Sequence, residues 1–261
     1  MIHLSDGIGD ALRALLSEAG VAADNLAPLT SAEEEALRAR EREEVAAVLR
    51  RGAAADLRVR GVDERHAELL VSGVGLDLST RPMRAAARFL EVDWMRLLFL
   101  LGPKGRGKSL ASAWLAWRRG GLVVHAEHLV PVVFASQDEA TPRGLREADL
   151  LRTPLLAIDD LGLEGEGRRA HTAAIVARLV RARCGAGTRT VITTNMIDDP
   201  ARAKAEGFDP DAPGATWMRL WDYFGDHAEH VAERLTEYGV APFCGGPNLR
   251  ARARAERNKR T

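Results

Sequence analysis

Eight residues, GPKGRGKS from Gly102 to Ser109, have the types and the spacing of a phosphate-binding loop. They fit the pattern G-x-x-x-x-G-K-[ST], with a short apolar run before them and a helical pattern after them. Gly102, Gly105 and Gly107 allow the sharp turns that aim successive backbone N–H groups at phosphate oxygens. The N-terminus of the following helix adds a partial positive charge. The motif predicts an ATP-binding loop.

Two side chains of this loop carry its chemistry. Lys108 can reach the β and γ phosphates, and the Ser109 hydroxyl can ligate Mg²⁺. The residues expected to contact the nucleotide are Gly102, Pro103, Lys104, Gly105, Arg106, Gly107, Lys108, Ser109 and Leu110.

Two adjacent carboxylates follow an apolar run in the segment LLAIDDLG, 50 residues after Ser109. Asp159 ends the run and is expected to hold the magnesium, through water. Asp160 is placed to orient or polarise the attacking water. Paired acids at a buried strand end are costly without a cation, which argues against a purely structural role.

Two further polar residues are candidates for catalysis. Asn195 ends the run TVITTN, which we expect to lie between the Gly102 strand and the Asp159 strand, where its amide could hold the lytic water. Arg234 lies in the later helical segment HVAERLTEYG and could reach the γ-phosphate of a neighbouring subunit as an arginine finger. Arg178, Arg181 and Arg183 compete for that role.

Apolar runs of strand length alternate with helical patterns from about residue 80. This alternation predicts an α/β domain with a parallel sheet covered by helices on both faces. With the loop motif at Gly102–Ser109, we expect a P-loop NTPase fold. The predicted strands are Arg96–Gly102, Gly121–Ala126, Pro154–Asp160, Thr190–Asn195 and Val240–Cys244. The predicted helices are Thr80–Val92, Lys108–Arg118, Glu127–Ala135, Ala170–Arg183 and Ala228–Tyr238.

The rest of the chain divides around this domain. We predict an N-terminal helical region over residues 1–79, an ATPase domain over 80–250 and a basic tail over 251–261. The helical region holds one run between Ile8 and Ala19, a break from Asn25 to Thr30, and a long charged helix from Ser31 to about Arg51. The tail is either a frayed terminus or a phosphate contact.

Composition excludes several classes of protein. The chain has 37 basic and 37 acidic residues among 261, so net charge does not indicate a nucleic-acid binder. Two cysteines, without a CxxC pair, exclude a cysteine-based zinc site. His125 and His128 lie close together, but no ligand cluster accompanies them, so no metal site is predicted there. No signal peptide or membrane span is evident, and a cytoplasmic protein is expected.

The segment LLAIDDLGLEGEG, with the later TVITTNM, resembles the AAA+ helicase loaders of the DnaC/DnaI type and the related IstB transposition ATPases. In that family two acids are followed by Leu-Gly and soon by a glutamate, here Asp159 to Glu164. The ERL at Arg234 is similar to the family's late finger helix. GGPNLR resembles the terminal stretch of some loaders and would give Arg250 a phosphate-sensing position. The resemblance covers about residues 80–250.

The resemblance implies a mechanism. ATP would organise subunits into a homo-oligomer that grips single-stranded DNA and delivers a replicative ring helicase, with hydrolysis releasing the loader and slow without partner or DNA. The region before residue 80 would contact the helicase. The segment from Phe134 to Arg152 would face DNA through Arg143, Arg146 and Arg152, or be a solvated loop.

Three departures from the family pattern leave the partner open. The interval from Asn195 to Arg234 is long and could be an extra arm carrying Trp217, Trp221, Tyr223 and Phe224. The zinc cysteines of some loaders are absent, and so is the aromatic segment usual before the IstB-type loop. The alternative functions are an IstB-like ATPase that binds duplex DNA and activates a transposase, and a nucleotide-dependent binding module whose catalysis is dispensable.

Overall fold

The computed structural model describes residues 31–73, 76–136, 139–210, 217–245 and 248–249. The predicted helix between Ile8 and Ala19, the break before Ser31, Arg250 and the basic tail lie outside these residues. The chain divides into two compact units, residues 1–51 and 52–261. The predicted boundary at residue 80 falls inside the larger unit, and the assignment of an ATPase domain to residues 80–250 stays a prediction.

Ten helices of more than three residues lie in the described part of the chain. They are α1 (Ser31–Val59), α2 (Glu64–Ser72), α3 (Arg81–Glu91), α4 (Lys108–Arg119), α5 (Leu129–Phe134), α6 (Glu147–Arg152), α7 (Glu166–Gly185), α8 (Pro200–Ala205), α9 (Leu220–Phe224) and α10 (Ala228–Tyr238). Short 3₁₀ turns cover Ala126–His128, Pro142–Gly144 and Gly225–His227. None of the described helices is long and apolar enough to cross a membrane.

Five strands form one sheet. They are β1 (Leu97–Leu100), β2 (Leu122–His125), β3 (Leu155–Leu161), β4 (Arg189–Thr194) and β5 (Gly239–Val240), in the spatial order β2-β3-β4-β1-β5. Every pairing is parallel. Because the carboxyl ends of parallel strands meet at one edge of the sheet, the segments that follow β1, β3 and β4 come together there.

Successive side chains of the strands point to opposite faces of the sheet and join separate apolar cores. Leu97 and Phe99 of β1 pack into one core, whereas Leu98 and Leu100 pack into the other. Helices α5, α7, α9 and α10 contribute to the first core, and helices α2, α3 and α4 to the second. Both faces are thus covered, which explains why the strands read as continuous apolar runs.

The predicted α/β fold is confirmed: a parallel sheet is covered by helices on both faces, and the phosphate-binding loop motif follows β1. The predicted elements match the structure with shifted ends. Helix α10 has the predicted bounds, α7 begins at Glu166 rather than Ala170, and β5 shrinks to two residues with an isolated bridge between Leu101 and Phe243. The predicted helix from Glu127 to Ala135 is a 3₁₀ turn followed by the short helix α5.

The aromatic segment before Arg234 belongs to the core and is not an extra arm. Tyr223 and Phe224 are buried on α9, and the Phe224 ring meets the edge of Phe99 at a centroid distance of 6.3 Å. Trp221 packs against the same core. Aromatic side chains spaced along a short helix thus fill the space beside β1.

Candidate functional site

The loop after β1 turns tightly and leads directly into α4. Gly102, Gly105 and Gly107 all have positive φ values, of 115°, 79° and 86°. Gly107 is the N-cap of α4, a position where a side chain would be strained. The helix therefore begins at Lys108, with its positive dipole end at the loop.

Lys108 is held inside the loop. Its side chain is 5% exposed, and its Nζ donates to the carbonyls of Gly102 (2.7 Å) and Pro103 (2.9 Å) and to Oδ1 of Asn195 (3.1 Å). Burial lowers the pKa of Lys108 to about 8, although Asp160 and Asp159 oppose this shift. The ammonium is therefore desolvated and available to an anion that enters the loop.

Ser109 and Asp159 meet across the sheet edge. Asp159 lies near the carboxyl end of β3, two residues before its last, and is 5% exposed. Its carboxylate accepts hydrogen bonds from the hydroxyls of Ser109 and Thr193, the latter at 2.5 Å. A hydroxyl beside a carboxylate is the donor pair that suits Mg²⁺, so these residues fit that cation. β4 lies between β1 and β3, as predicted.

Burial raises the pKa of Asp159, and the neighbouring Asp160 adds to the rise. The hydrogen bonds from Thr193 and Ser109 and the charge of His125 act in the opposite direction. A carboxylate in this position is costly when it is ionised without a cation nearby.

Asp160 lies at an irregularity in β3. The pairing of β3 with β4 shifts register between Ile158 and Leu161, and Asp160 has a φ of 57°. Its backbone N–H donates to the Thr193 hydroxyl at 3.0 Å instead of to a strand neighbour. The bulge turns the Asp160 side chain toward the cleft, where it forms part of the lining.

Asn195 lies directly after β4, in contact with the loop lysine. Its Oδ1 accepts from Lys108, whereas its Nδ2 is buried and has no hydrogen-bond partner among the described residues. A buried donor without a partner carries a desolvation cost. This arrangement leaves the two N–H donors of Nδ2 available to hold a water or a phosphate oxygen.

A cleft of about 650 Å³ lies over the loop. Its lining joins residues Lys104 to Leu110 with Asp160 and Asn195. Residues that sequence reasoning did not assign to the site complete the wall, namely Asp63, Arg65, His66, Leu69, Asp77, Thr80, Met83, Leu163 and Leu249. Several lie in the predicted N-terminal region, so that region takes part in the cleft.

The chain returns to the loop near its C-terminal end. The backbone N–H of Leu249 donates to the carbonyl of Gly105 at 2.8 Å, and Leu249 lines the cleft. A methyl group on Gly105 would lie 2.3 Å from Oδ1 of Asn248. Arg250, the predicted phosphate sensor, is the next residue and lies outside the described residues.

His125 joins the two acids, contrary to the expectation that no ligand cluster accompanies it. It ends β2, where it pairs in register with Asp159. One ligand atom each of His125, Asp159 and Asp160 lie within 4.8 Å of one another. His128 is not part of this group. Sequence could have indicated the cluster through the strand order, which makes β2 the neighbour of β3.

The arginines proposed as fingers differ in their surroundings. Arg234 is partly exposed, pairs with Glu237 at 2.6 Å and lies over the Tyr238 ring. Arg183 is fully buried, and its guanidinium donates to Thr190 and to backbone carbonyls, so its proposed finger role is wrong. Arg178 pairs with Glu147, and Arg181 is exposed.

The segment between β2 and β3 is only partly free to meet DNA. Arg143 donates to the carbonyl of Val123 at 2.7 Å, and burial lowers its pKa. Arg146 donates to the carbonyl of Glu139 and to Thr141. Arg152 is exposed, and Phe134 is 65% exposed. Two of the three predicted arginines thus have structural partners.

Comparison with known proteins gives similarities in fold. No family model matches the chain, and no curated protein matches it. The solved structures similar to it include DnaI, at 22% identity and a TM-score of 0.42 over 67% of this chain and 88% of the other. A structure from Streptococcus pyogenes serotype M3 described as a primosome component gives 18% identity and 0.47, over 74% and 97% of the two chains.

The AMPPCP-bound DnaA from Aquifex aeolicus gives 12% identity and a TM-score of 0.39 over 76% of this chain. This chain spans about half of that structure's length, 52%. These are likenesses in fold alone, and DnaI, which belongs to the family that the motifs resemble, is among them.

Proposed function

We propose that the chain is a magnesium-dependent ATPase that acts as a loader of a replicative ring helicase. One observation carries the ATPase part: the Ser109 hydroxyl, at the start of the loop helix, contacts the carboxylate of Asp159 near the carboxyl end of β3. This contact lies beside a desolvated lysine and a loop of left-handed glycines. The same corner can therefore hold a triphosphate and its cation.

Each residue of this corner has a proposed task. The loop N–H groups and Lys108 bind the phosphates, and Lys108 exchanges its bonds to loop carbonyls for bonds to phosphate oxygens. Ser109 and Asp159 hold Mg²⁺, which when bound offsets phosphate charge. Asp160 polarises the attacking water, and the Nδ2 of Asn195 orients it.

A first test separates binding from turnover. Lys108→Ala should weaken binding of a fluorescent ATP analogue by at least about 100-fold, because it removes the cation from a site where charge is poorly screened. Asp160→Asn should bind within about twofold of the parent, yet hydrolyse at least about 100-fold more slowly because its general base is lost. Asp226→Asn, an exposed acid outside the cleft, is the control.

Normal nucleotide binding by Lys108→Ala would refute the proposed site. Normal hydrolysis by Asp160→Asn would remove Asp160 from the mechanism. If Asp160→Asn lost turnover but kept full biological activity, the chain would be a binding module rather than an ATPase switch.

Support for the loader role comes from the sequence resemblance around Asp159 to Glu164 and Thr190 to Asn195. We propose that ATP-bound subunits assemble side by side, grip single-stranded DNA and hold a ring helicase. A pull-down with ATP and magnesium tests the partner. A captured ring helicase supports the proposal, whereas a transposase in its place would favour the IstB-like alternative.

DNA binding has its own test in the segment between β2 and β3. We expect affinity for a labelled single-stranded oligonucleotide to rise with ATP and to fall with salt, because phosphate contacts release counterions. Arg152→Ala should weaken binding several-fold, whereas Arg118→Ala, an exposed arginine on α4 across the sheet, should not. If the fluorescence anisotropy of the labelled oligonucleotide were the same with and without ATP, nucleotide-controlled DNA binding would be excluded.

A further inference from the structure

His125 lies at the same corner as the two acids but takes no part in the proposed hydrolysis. As the last residue of β2 it stands beside Asp159, its partner in the β2–β3 register. The ligand atoms of His125, Asp159 and Asp160 all lie within 4.8 Å of one another. Three ligand atoms bound to one metal at the usual distance of about 2.1 Å would lie about 3–4.2 Å apart, so this spacing needs little adjustment.

The neighbours of this group fix its geometry. Thr193 donates to the Asp159 carboxylate at 2.5 Å and accepts from the backbone N–H of Asp160 at 3.0 Å. Hydrogen bonds of this kind orient metal ligands and are part of functional metal sites. The His125 ring also meets His128 edge-on, at a centroid distance of 6.1 Å. The Asp159 carboxylate and the backbone of Asp160 are therefore held by Thr193, and the His125 ring packs against a neighbouring ring.

The ligand types select among cations. Mg²⁺ prefers an all-oxygen shell and keeps several waters, whereas an imidazole nitrogen suits manganese, cobalt and other transition metals better. We propose that His125, Asp159 and Asp160 form a second cation position that takes a divalent transition metal. This position shares Asp159 with the Ser109 magnesium site. The inference rests on the proposed function in placing a cation at Asp159, but it requires neither ATP nor hydrolysis.

Two carboxylates and one neutral imidazole give the position a formal charge of −2, which a divalent cation balances. Asp160 has two oxygens, so one can hold the metal while the other faces the water in the cleft. Two adjacent ionised acids at a buried strand end repel each other, and a bound cation would offset that repulsion.

Manganese titration of the full-length protein without nucleotide tests this position. We expect Mn²⁺, followed by electron paramagnetic resonance, to bind at least about tenfold more tightly than Mg²⁺ measured by competition. Electron spin-echo modulation of bound Mn²⁺ should show coupling to a ¹⁴N nucleus. Labelling the protein with ¹⁵N-histidine should convert this to a ¹⁵N coupling, a readout that needs no substitution.

His125→Asn should abolish the nitrogen coupling and weaken Mn²⁺ binding at least about tenfold. His128→Asn, which alters the adjacent imidazole outside the group, should leave both unchanged. Lys108→Ala should keep the coupling, so failure of the ATP site and failure of this metal site give different results. Bound Mn²⁺ without nitrogen coupling, coupling that survives His125→Asn, or equal affinity for Mn²⁺ and Mg²⁺ would each overturn the inference.

Discussion

Asp159 is the residue at which stability and chemistry oppose each other. Its carboxylate is buried, lies beside a second acid and has a raised pKa caused first by burial and then by Asp160. Hydrogen bonds from Thr193 and Ser109 compensate part of this cost. A carboxylate that is unfavourable by itself but well oriented is what a cation site requires.

The direction of this shift predicts a stabilising substitution. The pKa of Asp159 is higher in the folded protein than in the unfolded chain, where it has its ordinary value of 3.8. Ionisation of Asp159 therefore lowers the free energy of unfolding by its full amount above the folded pKa, and does not lower it well below pH 3.8. Without metal or nucleotide, Asp159→Asn should therefore raise the melting temperature at pH 7 by about 2–4 °C, with a smaller gain as pH falls toward 4.

Differential scanning calorimetry at several pH values measures this gain. Asp226→Asn, at an exposed site, should show no comparable change. Added magnesium and ATP should stabilise the parent but not Asp159→Asn, since the variant loses a cation ligand. If Asp159→Asn instead lowered the melting temperature at pH 7, the ionised Asp159 carboxylate would not be a net cost to stability.

At the residue scale, motif spacing predicted the contact between Ser109 and Asp159, because strand order in this fold class fixes which loops share an edge. It did not reveal His125, since that residue enters the site only through the β2–β3 register. Sequence also left Arg183 as a competing candidate for the finger. A helical sequence pattern does not distinguish an exposed arginine finger from a buried arginine that donates to backbone carbonyls.

At the element scale, a hydrogen bond joins the loop after β3 to α9. Glu164 is 5% exposed; it accepts from the N–H of Gly162 at 2.9 Å and from the hydroxyl of Tyr223. Burial raises the pKa of Tyr223, and the hydrogen bond to Glu164 adds to the rise, so the phenol stays protonated as a donor. This contact ties the loop after Asp160 to the core helix.

Removing this donor should loosen the loop. Tyr223→Phe leaves a buried carboxylate oxygen without its partner, so we expect a loss of about 1–3 kcal/mol in the free energy of unfolding. Tyr238→Phe removes a hydroxyl that bonds to the exposed carboxylate of Glu237, and should cost much less because that carboxylate stays hydrated. Urea denaturation of both variants measures the difference in the free energy of unfolding. Equal losses would show that the hydrogen bond from Tyr223 to Glu164 stabilises the protein no more than the one from Tyr238 to Glu237.

Sequence identified most strands and helices because their apolar runs are long and periodic. It misjudged the aromatic segment, since a run with Tyr223 and Phe224 reads equally well as a surface arm or as a core helix. The partner that decides between them, Phe99, is more than 100 positions away in the chain. Non-local packing of this kind cannot be read from a local pattern.

At the scale of the whole molecule, Arg234 and the phosphate loop lie at opposite edges of the sheet. Helix α10 runs into β5 at the amino ends of the strands, whereas the loop follows the carboxyl end of β1. If Arg234 acts on a phosphate, we expect that phosphate to belong to a neighbouring subunit. The side-by-side assembly proposed above therefore makes a prediction about mixed assemblies.

Arg234→Ala and Lys108→Ala should each lack ATPase activity alone, yet a mixture should regain it. Each Arg234→Ala subunit keeps its loop, and a Lys108→Ala neighbour can supply the missing arginine. Random equal mixing in a head-to-tail ring would make about a quarter of the interfaces competent. Arg181→Ala, an exposed arginine on α7, should remain active alone if Arg234 is the finger. A steady-state ATPase assay across mixing ratios tests this prediction. A mixture as inactive as its two components would show that Arg234 does not complete the neighbour's site.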